Sequence, residues 1–213
     1  MGKYKGELLF NLIAPIYGLF YKRQKIQFAA VIKRVEKELN LLSFDTIIDV
    51  GCGTGALCSV LHDMGLAVTG IDPAEKMLHI AINKSANTAI EFMQADVLKR
   101  LPFEDNAFDI SIASYVAHGL QDQERIQMYS EMSRITKHKV IIHDYNKNRS
   151  ILTTIVEWLE RGDYFHFIKN AEREMSACVS KMGECFSAVS VLNVDTRASW
   201  YICTPSVTEP DGL

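Results

Sequence analysis

The sequence predicts an α/β fold, a seven-stranded and mostly parallel sheet with helices on both faces and a C-terminal antiparallel hairpin. Short apolar runs alternate with stretches whose apolar residues recur every three or four positions, and this alternation requires crossover connections between parallel strands. Only "TRA" separates the last two apolar runs, which is too short for a crossover and therefore predicts a hairpin. With 213 residues, 48% hydrophobic and 23% charged, one domain is expected.

Residues 1–42 are predicted to form an N-terminal helical cap. The apolar stretch "ELLFNLIAPIYGLFY" precedes a helical pattern from Gln24 to Leu42. Lys3 and Lys5 before the apolar residues imitate a secretory signal, but Asn11 and Pro15 interrupt the run and the basic "YKRQK" follows it. The run is also too short to span a bilayer. It is therefore interpreted as an apolar lid or docking helix, with no membrane span.

Residues 43–145 are predicted to form the core of the fold. Its strands are "TIIDV", "AVTGI", "IEFMQA", "FDISIAS" and "KVIIHD", and its helices are "ALCSVLHDMG", "AEKMLHIAINK" and "DQERIQMYSEMSRIT". Residues 146–185 add two helical stretches, Ile151 to Arg161 and Tyr164 to Met182, and residues 186–204 form the hairpin before a polar tail, 205–213. The N-terminal cap and residues 146–185 are both rich in aromatic residues, which predict either a lid over the substrate or ordinary packing of the added helices. These residues are Tyr17, Phe20, Tyr21, Trp158, Tyr164, Phe165 and Phe167.

Charge and cysteine content limit the classes of partner. A net charge of −3 and a pI near 6.1 give no broad positive field, so a nucleic-acid partner is not expected. The five cysteines form no CxxC pair and leave one thiol over under any pairing. This pattern suits a reducing compartment and predicts a cytoplasmic protein, with packed thiols and no metal site.

The stretch "TIIDVGCGTGAL" places a glycine-rich turn directly after the first strand of the core. Ligands of open parallel sheets lie beyond the carboxyl ends of the strands, where the strand order reverses. Asp72 ends the next strand, where a carboxylate can accept both hydroxyls of a ribose, so a nucleoside-containing cofactor is expected. "GCGTGA" also satisfies the loose dinucleotide pattern, which leaves an NAD(P)-dependent oxidoreductase as an alternative.

Four motifs in order favour a different cofactor: "DVGCGTG", "GIDPAEKML", "ADVLKRLPFEDNAFD" and "FDISIASYVAHGL". Over Asp45 to Asp144 the sequence resembles the class I S-adenosylmethionine-dependent methyltransferases, of the ubiquinone and menaquinone biosynthesis type, which have a Rossmann-like fold. "NLIAPIYGLF" is similar to the family's "IAPxYD", with Gly18 in place of the usual acid.

This resemblance implies S-adenosyl-L-methionine as cofactor and S-adenosyl-L-homocysteine as product. Asp49 would orient the turn and the methionine ammonium, Asp72 would hold the ribose, and Asp96 and the Val97 N–H would bind the adenine. The remaining expected cofactor contacts are the turn residues Gly51, Cys52, Gly53 and Gly55, the adenine neighbours Pro73 and Met77, the lid residue Tyr17, and Ser114 and Tyr115 near the sulfonium. Taken singly, Asp49 and Asp72 could be helix caps, Asp96 a turn acid and Met77 core filler.

The expected reaction is in-line substitution at the sulfonium methyl, for which the protein aligns the reactants and excludes water. His118, His143, Asp144 and Tyr145 stand at strand ends as candidate bases, and His118 and Tyr145 are chosen as catalytic, although a histidine at such a position is often structural. "NPPY" and a Pro-Cys nucleophile are missing from the sequence, so a small-molecule acceptor is predicted. A methyltransferase-like binding protein without turnover remains a further alternative.

Overall fold

A computed structural model describes residues 3–146, 179–196 and 198–206, with side chains from Phe10 onward. Seven strands form one sheet, as predicted. The strands are β1 (Thr46–Val50), β2 (Ala67–Asp72), β3 (Glu91–Gln94), β4 (Phe108–Ser114), β5 (Thr136–Tyr145), β6 (Phe186–Asn193) and β7 (Ala198–Pro205). The helices are α1 (Lys3–Val35), α2 (Ala56–Asp63), α3 (Glu75–Lys84) and α4 (Asp122–Ile135), and short 3-10 turns cover Leu41–Ser43 and Ala117–Gly119.

The strand order is β3-β2-β1-β4-β5-β7-β6. The first five strands of this order are parallel, whereas β7 runs antiparallel to β5 and β6 antiparallel to β7. The predicted parallel sheet with its terminal hairpin is thus confirmed. Strand order reverses between β1 and β4, so the carboxyl ends of these two strands border the crevice where such sheets bind ligands.

Two apolar clusters cover the two faces of the sheet because successive strand residues point to opposite sides. On one face, Ile47 of β1 and Ile112 of β4 pack with Leu57 of α2 and Ile32 of α1. On the other, their neighbours Ile48 and Ala113 pack with α4. A strand that is buried on both faces has mostly apolar residues without alternation, and "TIIDV" shows this pattern.

The N-terminal cap differs from its prediction in extent. The helical pattern was predicted to reach Leu42, whereas α1 is one helix that runs through Pro15 and ends at Val35. Packing against α2 and α3 holds the helix together across the proline. Asn11, which appeared to interrupt the run, accepts a hydrogen bond from the Lys76 N–H through its side chain and so contacts the first turn of α3.

Several predicted features fall outside the described residues. These are the helical stretch from Ile151 to Arg161 and most of that from Tyr164 to Met182; residues 179–185 are helical and lead directly into β6. Within the described ranges, no helix is long and apolar enough to cross a membrane. The cysteines described there, Cys52, Cys58, Cys185 and Cys203, are free thiols.

Candidate functional site

The glycine turn from Gly51 to Gly55 joins β1 to α2 in a conformation that needs glycine. Gly51, Gly53 and Gly55 have φ angles of 75°, 52° and 74°, in the left-handed region that other residues avoid. A Cβ on Gly51 would lie 2.6 Å from Val116 Cγ2, and one on Gly55 would lie 2.9 Å from Ala81 Cβ. A Cβ on Gly53 would meet no atom of the described residues within 4 Å. The turn is therefore packed at both ends and open at its centre.

Asp72, at the end of β2, fastens the centre of this turn to the start of α3. Its Oδ2 accepts a hydrogen bond from the Gly53 N–H at 2.9 Å, and its Oδ1 accepts one from the Ala74 N–H at 2.8 Å. Burial raises the pKa of Asp72 to about 6, although these two backbone hydrogen bonds lower it. A carboxylate offers about four acceptor positions, so the role of a cap and the predicted role of ribose ligand are compatible.

Asp49 of β1 is buried beneath the turn, between it and α2. Its Oδ2 accepts a hydrogen bond from Cys58 Sγ at 3.2 Å, while its Oδ1 has no hydrogen-bond partner among the described residues. Burial raises the pKa of Asp49 to about 7; the Cys58 hydrogen bond opposes this rise and the charge of Asp72 adds to it. A buried carboxylate oxygen without a donor is costly, and a cationic donor at this position would offset that cost.

The residues predicted to border an adenine lie beside Asp72. Ala95 N–H donates to the Asp72 carbonyl at 3.3 Å, which brings the loop carrying Asp96 and Val97 to the end of β2. Asp96 Oδ1 accepts a hydrogen bond from the Leu98 N–H at 3.0 Å, so this acid also organises its own turn. Met77 is buried against Ala14 and Tyr17 of α1.

A second group of side chains surrounds the ends of β4 and β5. Ser114 Oγ lies 3.5 Å from His143 Nδ1, and the rings of Tyr115 and His143 have centroids 4.7 Å apart. Tyr115 adopts a φ of 59°, which is rare and strained for a residue with a large side chain. The Tyr115 N–H donates to the His143 carbonyl at 2.8 Å. Burial lowers the pKa of His143 to about 4, so this ring is neutral at physiological pH.

His118 and Asp144 form a buried pair at the same edge. His118 Nδ1 lies 2.9 Å from Asp144 Oδ1, and the His118 N–H donates to Asp144 Oδ2 at 3.0 Å. Burial by itself would raise the pKa of Asp144, but the His118 charge and hydrogen bonds from His118 and Tyr145 outweigh it and hold the pKa below its ordinary value. The His118 ring packs edge-on against Tyr145 at 4.9 Å.

The glycine turn is in contact with the cluster of side chains at the ends of β4 and β5. Val116, which follows Tyr115, is the residue that a Cβ on Gly51 would strike, so the turn after β1 and the aromatic cluster after β4 are in contact. The structure therefore brings the predicted cofactor residues Asp49, Asp72 and the glycines beside the predicted catalytic residues His118 and Tyr145. The roles assigned to these residues stay predictions.

Sequence reasoning did not select three contributors. Asp144 was only one of four candidate bases, whereas the structure shows it fixing the orientation of His118. Gln24 of α1 accepts a hydrogen bond from Thr54 Oγ1 of the glycine turn at 3.3 Å, and the Phe28 ring lies 6.0 Å from the His143 ring. Helical spacing marks Phe28 as inward-facing, but no local signal identifies what it touches.

One open groove of about 470 Å³ lies elsewhere, between the C-terminal half of α1 and the end of α2. Its lining includes Ile26, Leu42 and Met64 and none of the predicted site residues. The chemistry-bearing side chains thus converge at the carboxyl ends of the strands rather than in this groove, and we place the candidate site at that edge.

Comparison with known proteins relates the chain to methyltransferases. A family model described as a methyltransferase domain matches residues 47–139. The chain is 28% identical over 149 residues to an uncharacterized methyltransferase of Bacillus licheniformis, covering 67% of each protein. It is 34% identical over 110 residues to the demethylmenaquinone methyltransferase of Staphylococcus aureus, covering 49% of this chain and 44% of that relative. The chain thus spans less than half of the second relative's length.

Solved structures share the fold. A SAM-dependent methyltransferase from Aquifex aeolicus superposes with a TM-score of 0.61 at 22% identity, over 82% of this chain and 89% of that one. At this level of identity the likeness establishes the architecture alone.

Proposed function

We propose that the chain is a class I S-adenosylmethionine-dependent methyltransferase, because a methyltransferase-domain model matches residues 47–139 and the relatives it resembles are named as methyltransferases. It transfers the methyl group of this cofactor to a small-molecule acceptor by in-line substitution. Two features of the same turn carry the proposal. Gly53 has a left-handed backbone with free space where a Cβ would lie, as far as the described residues show. Asp49 is buried next to the turn, and its Oδ1 has no hydrogen-bond partner among the described residues. A dinucleotide-dependent oxidoreductase would instead present its turn to a pyrophosphate, which a buried carboxylate beside the turn would repel.

The residues of the turn fit S-adenosylmethionine. The Asp49 carboxylate supplies a negative charge, and its buried Oδ1, which has no partner among the described residues, is an acceptor that the methionine ammonium would satisfy. The Gly53 backbone leaves room for a ligand to approach closely. Asp72 adds acceptors for the ribose hydroxyls beside the same glycine. When bound, the cofactor supplies a methyl group on a sulfonium, whose sulfur leaves without help from an acid.

His118 is proposed as the group that takes the acceptor's proton. A neutral imidazole that donates its Nδ1–H to a carboxylate carries its lone pair on Nε2, and Asp144 holds His118 in this tautomer and orientation. Asp144 would also stabilise the imidazolium that forms after proton transfer, as a buried carboxylate does in other histidine pairs. Tyr145 packs on the ring and restricts it.

The acceptor is proposed to be a small, planar molecule with an ionisable group. Tyr115, Tyr145, His118 and His143 present their rings at one edge of the sheet, with centroid separations of 4.7 to 4.9 Å between neighbours, and such a cluster favours stacking with a flat acceptor. A relative named as a demethylmenaquinone methyltransferase supports this class.

The test is methyl transfer from labelled S-adenosylmethionine to a panel of phenols, hydroquinones and carboxylic acids. With the best acceptor, His118→Ala should lower kcat by roughly 10²- to 10⁴-fold, the usual contribution of a general base, with the affinity for S-adenosylhomocysteine unchanged. His138→Ala, at a half-exposed histidine near the start of β5, is the matched control and should retain full activity. Equal activity of both variants would remove His118 from the mechanism, and a panel without any methylated product would favour a binding protein.

A further inference from the structure

The helix α1 is apolar on both of its long faces, and only one of them is packed against other described parts of the chain. Its inner face carries Ala14, Tyr21 and Ile32, all buried. Its outer face carries Leu12, Ile16, Leu19 and Ile26, which are 74%, 53%, 82% and 71% exposed. These four recur at intervals of three, four and seven residues and so form one stripe along the helix. We call this stripe the outer face of α1.

Basic residues accompany the outer face. Arg23 lies within the stripe, four residues after Leu19 and three before Ile26, and Lys22 and Lys33 are exposed beside it. The Arg34 guanidinium, by contrast, donates a hydrogen bond to the Val194 carbonyl. Between residues 8 and 35 the sequence contains no acidic residue. Seven of the 23 basic residues and one of the 26 acidic residues lie in α1, so this helix carries +6 and the rest of the chain −9.

We propose that the outer face of α1 docks on the surface of an anionic lipid bilayer. An interfacial helix of this type sinks its large aliphatic residues into the boundary between headgroups and acyl chains while its Lys and Arg side chains contact lipid phosphates. From Leu12 to Arg34 the helix is about 33 Å long at 1.5 Å per residue, so the whole stripe lies flat on one surface. The helix does not span the membrane.

A second copy of the chain is a poorer occupant of this face. Arg23 stands at the middle of the stretch from Leu12 to Arg34, so an antiparallel two-fold pair of helices would set Arg23 against Arg23 and bring the flanking cations together. Like charges juxtaposed in an interface are destabilising. An anionic surface, by contrast, converts each of these cations into a favourable contact.

Docking in this way would place the candidate site next to the bilayer. The inner side of α1 contacts the glycine turn through Gln24 and Thr54 and the aromatic cluster through Phe28 and His143. An acceptor dissolved in the lipid would then meet the protein at the helix that covers its site. The docking itself does not depend on methyl transfer, and its test needs neither cofactor nor acceptor.

The experiment is co-sedimentation of the full chain with vesicles of equal parts phosphatidylglycerol and phosphatidylcholine, compared with phosphatidylcholine alone. The chain should bind the anionic vesicles and lose this binding at high salt. The double variant Leu19→Glu with Ile26→Glu should bind at least tenfold more weakly, since it removes two aliphatic side chains from the boundary. Arg23→Glu should weaken binding about fivefold or more.

Val191→Glu is the matched control, because Val191 is 52% exposed on the edge strand β6 and should leave vesicle binding unchanged. Thermal unfolding checks that each variant is folded. The proposal is overturned if the wild-type chain fails to bind anionic vesicles, or if the α1 variants and Val191→Glu bind alike. It is equally overturned if light scattering shows a dimer that the α1 double variant dissociates, since a second copy then covers the face.

Discussion

Replacing Gly53 by alanine separates the two functions that a glycine can have in this turn. Gly53 has a φ of 52°, and a Cβ added to it would have no atom of the described residues within 4 Å. The substitution therefore creates no clash with this part of the protein. It adds one methyl group at the centre of the turn, where the proposed cofactor lies against the backbone.

Gly65 provides a matched control at the other edge of the sheet. It follows α2, has a φ of 100°, and its added Cβ would likewise have no neighbour within 4 Å in the part of the chain that the structure describes. Each alanine should lower the free energy of unfolding by about 1–2 kcal/mol, the cost of a left-handed conformation for a residue with a Cβ. Only Gly53→Ala should weaken binding of the cofactor. The expected loss is about 1–3 kcal/mol of binding free energy for an overfilled contact, or roughly 5- to 150-fold in Kd.

The assay is calorimetric titration of both variants with S-adenosylhomocysteine, alongside chemical unfolding of the free proteins. A loss of affinity confined to Gly53→Ala places the ligand at the centre of the turn. Wild-type affinity in Gly53→Ala, or an equal loss in Gly65→Ala, would refute the reasoning, because the glycine would then serve only the backbone.

Three further outcomes are expected. Asp72→Ala should weaken binding of S-adenosylhomocysteine by about 1.5–3 kcal/mol, as for other hydrogen bonds to a charged group; unchanged affinity in a folded variant would leave Asp72 as a cap. Burial raises the pKa of Asp49 to about 7, so the folded chain holds this proton where the unfolded chain has lost it. Its contribution to stability is present at low pH and is lost as pH rises through about 7, while affinity for the cationic ammonium should rise over the same range, by up to about tenfold per pH unit. Titration calorimetry below and above pH 7 measures this change in affinity, and Asp49→Asn should make the affinity nearly independent of pH. A steep pH dependence in that variant would show that Asp49 is not the titrating group. Finally, amides of residues 8 to 21 should gain protection from hydrogen exchange when S-adenosylhomocysteine binds; protection confined to residues 49 to 55 would make α1 a fixed packing element.

The strands and the helices α2 to α4 could be predicted from the sequence because their local signals agree with the global fold. "TIIDV" is a mostly apolar segment without alternation of apolar and polar residues, and the structure buries it on both faces. "TRA" allows only a hairpin between β6 and β7. The extent of the N-terminal helix was less predictable, because the helical pattern runs on to Leu42 whereas α1 ends at Val35. A proline is locally unfavourable inside a helix, but packing on α2 and α3 holds α1 together across Pro15.

The candidate site could likewise be predicted only in part from the sequence. The positions of Asp49, Asp72 and the glycines follow from the rule that strand ends of a parallel sheet meet at one edge. The pairing of His118 with Asp144 depends on the register of β4 against β5 and on the turn after Tyr115. Tyr115 has a left-handed backbone, which cannot be predicted from the presence of a tyrosine. The exposure of the outer face of α1 is likewise a tertiary fact, since a helix apolar on both sides reads from sequence as a buried one.

Side-by-side equilibrium titration of the purified chain with S-adenosylhomocysteine and with NAD tests the central claim most directly. The glycine turn and Asp72 alone are compatible with either ligand, whereas Asp49 beneath the turn favours a cation over a pyrophosphate. The chain is expected to bind S-adenosylhomocysteine stoichiometrically and to show no saturable binding of NAD. Tight binding of NAD with none of S-adenosylhomocysteine would contradict the assignment of the cofactor and the methyl transfer that follows from it.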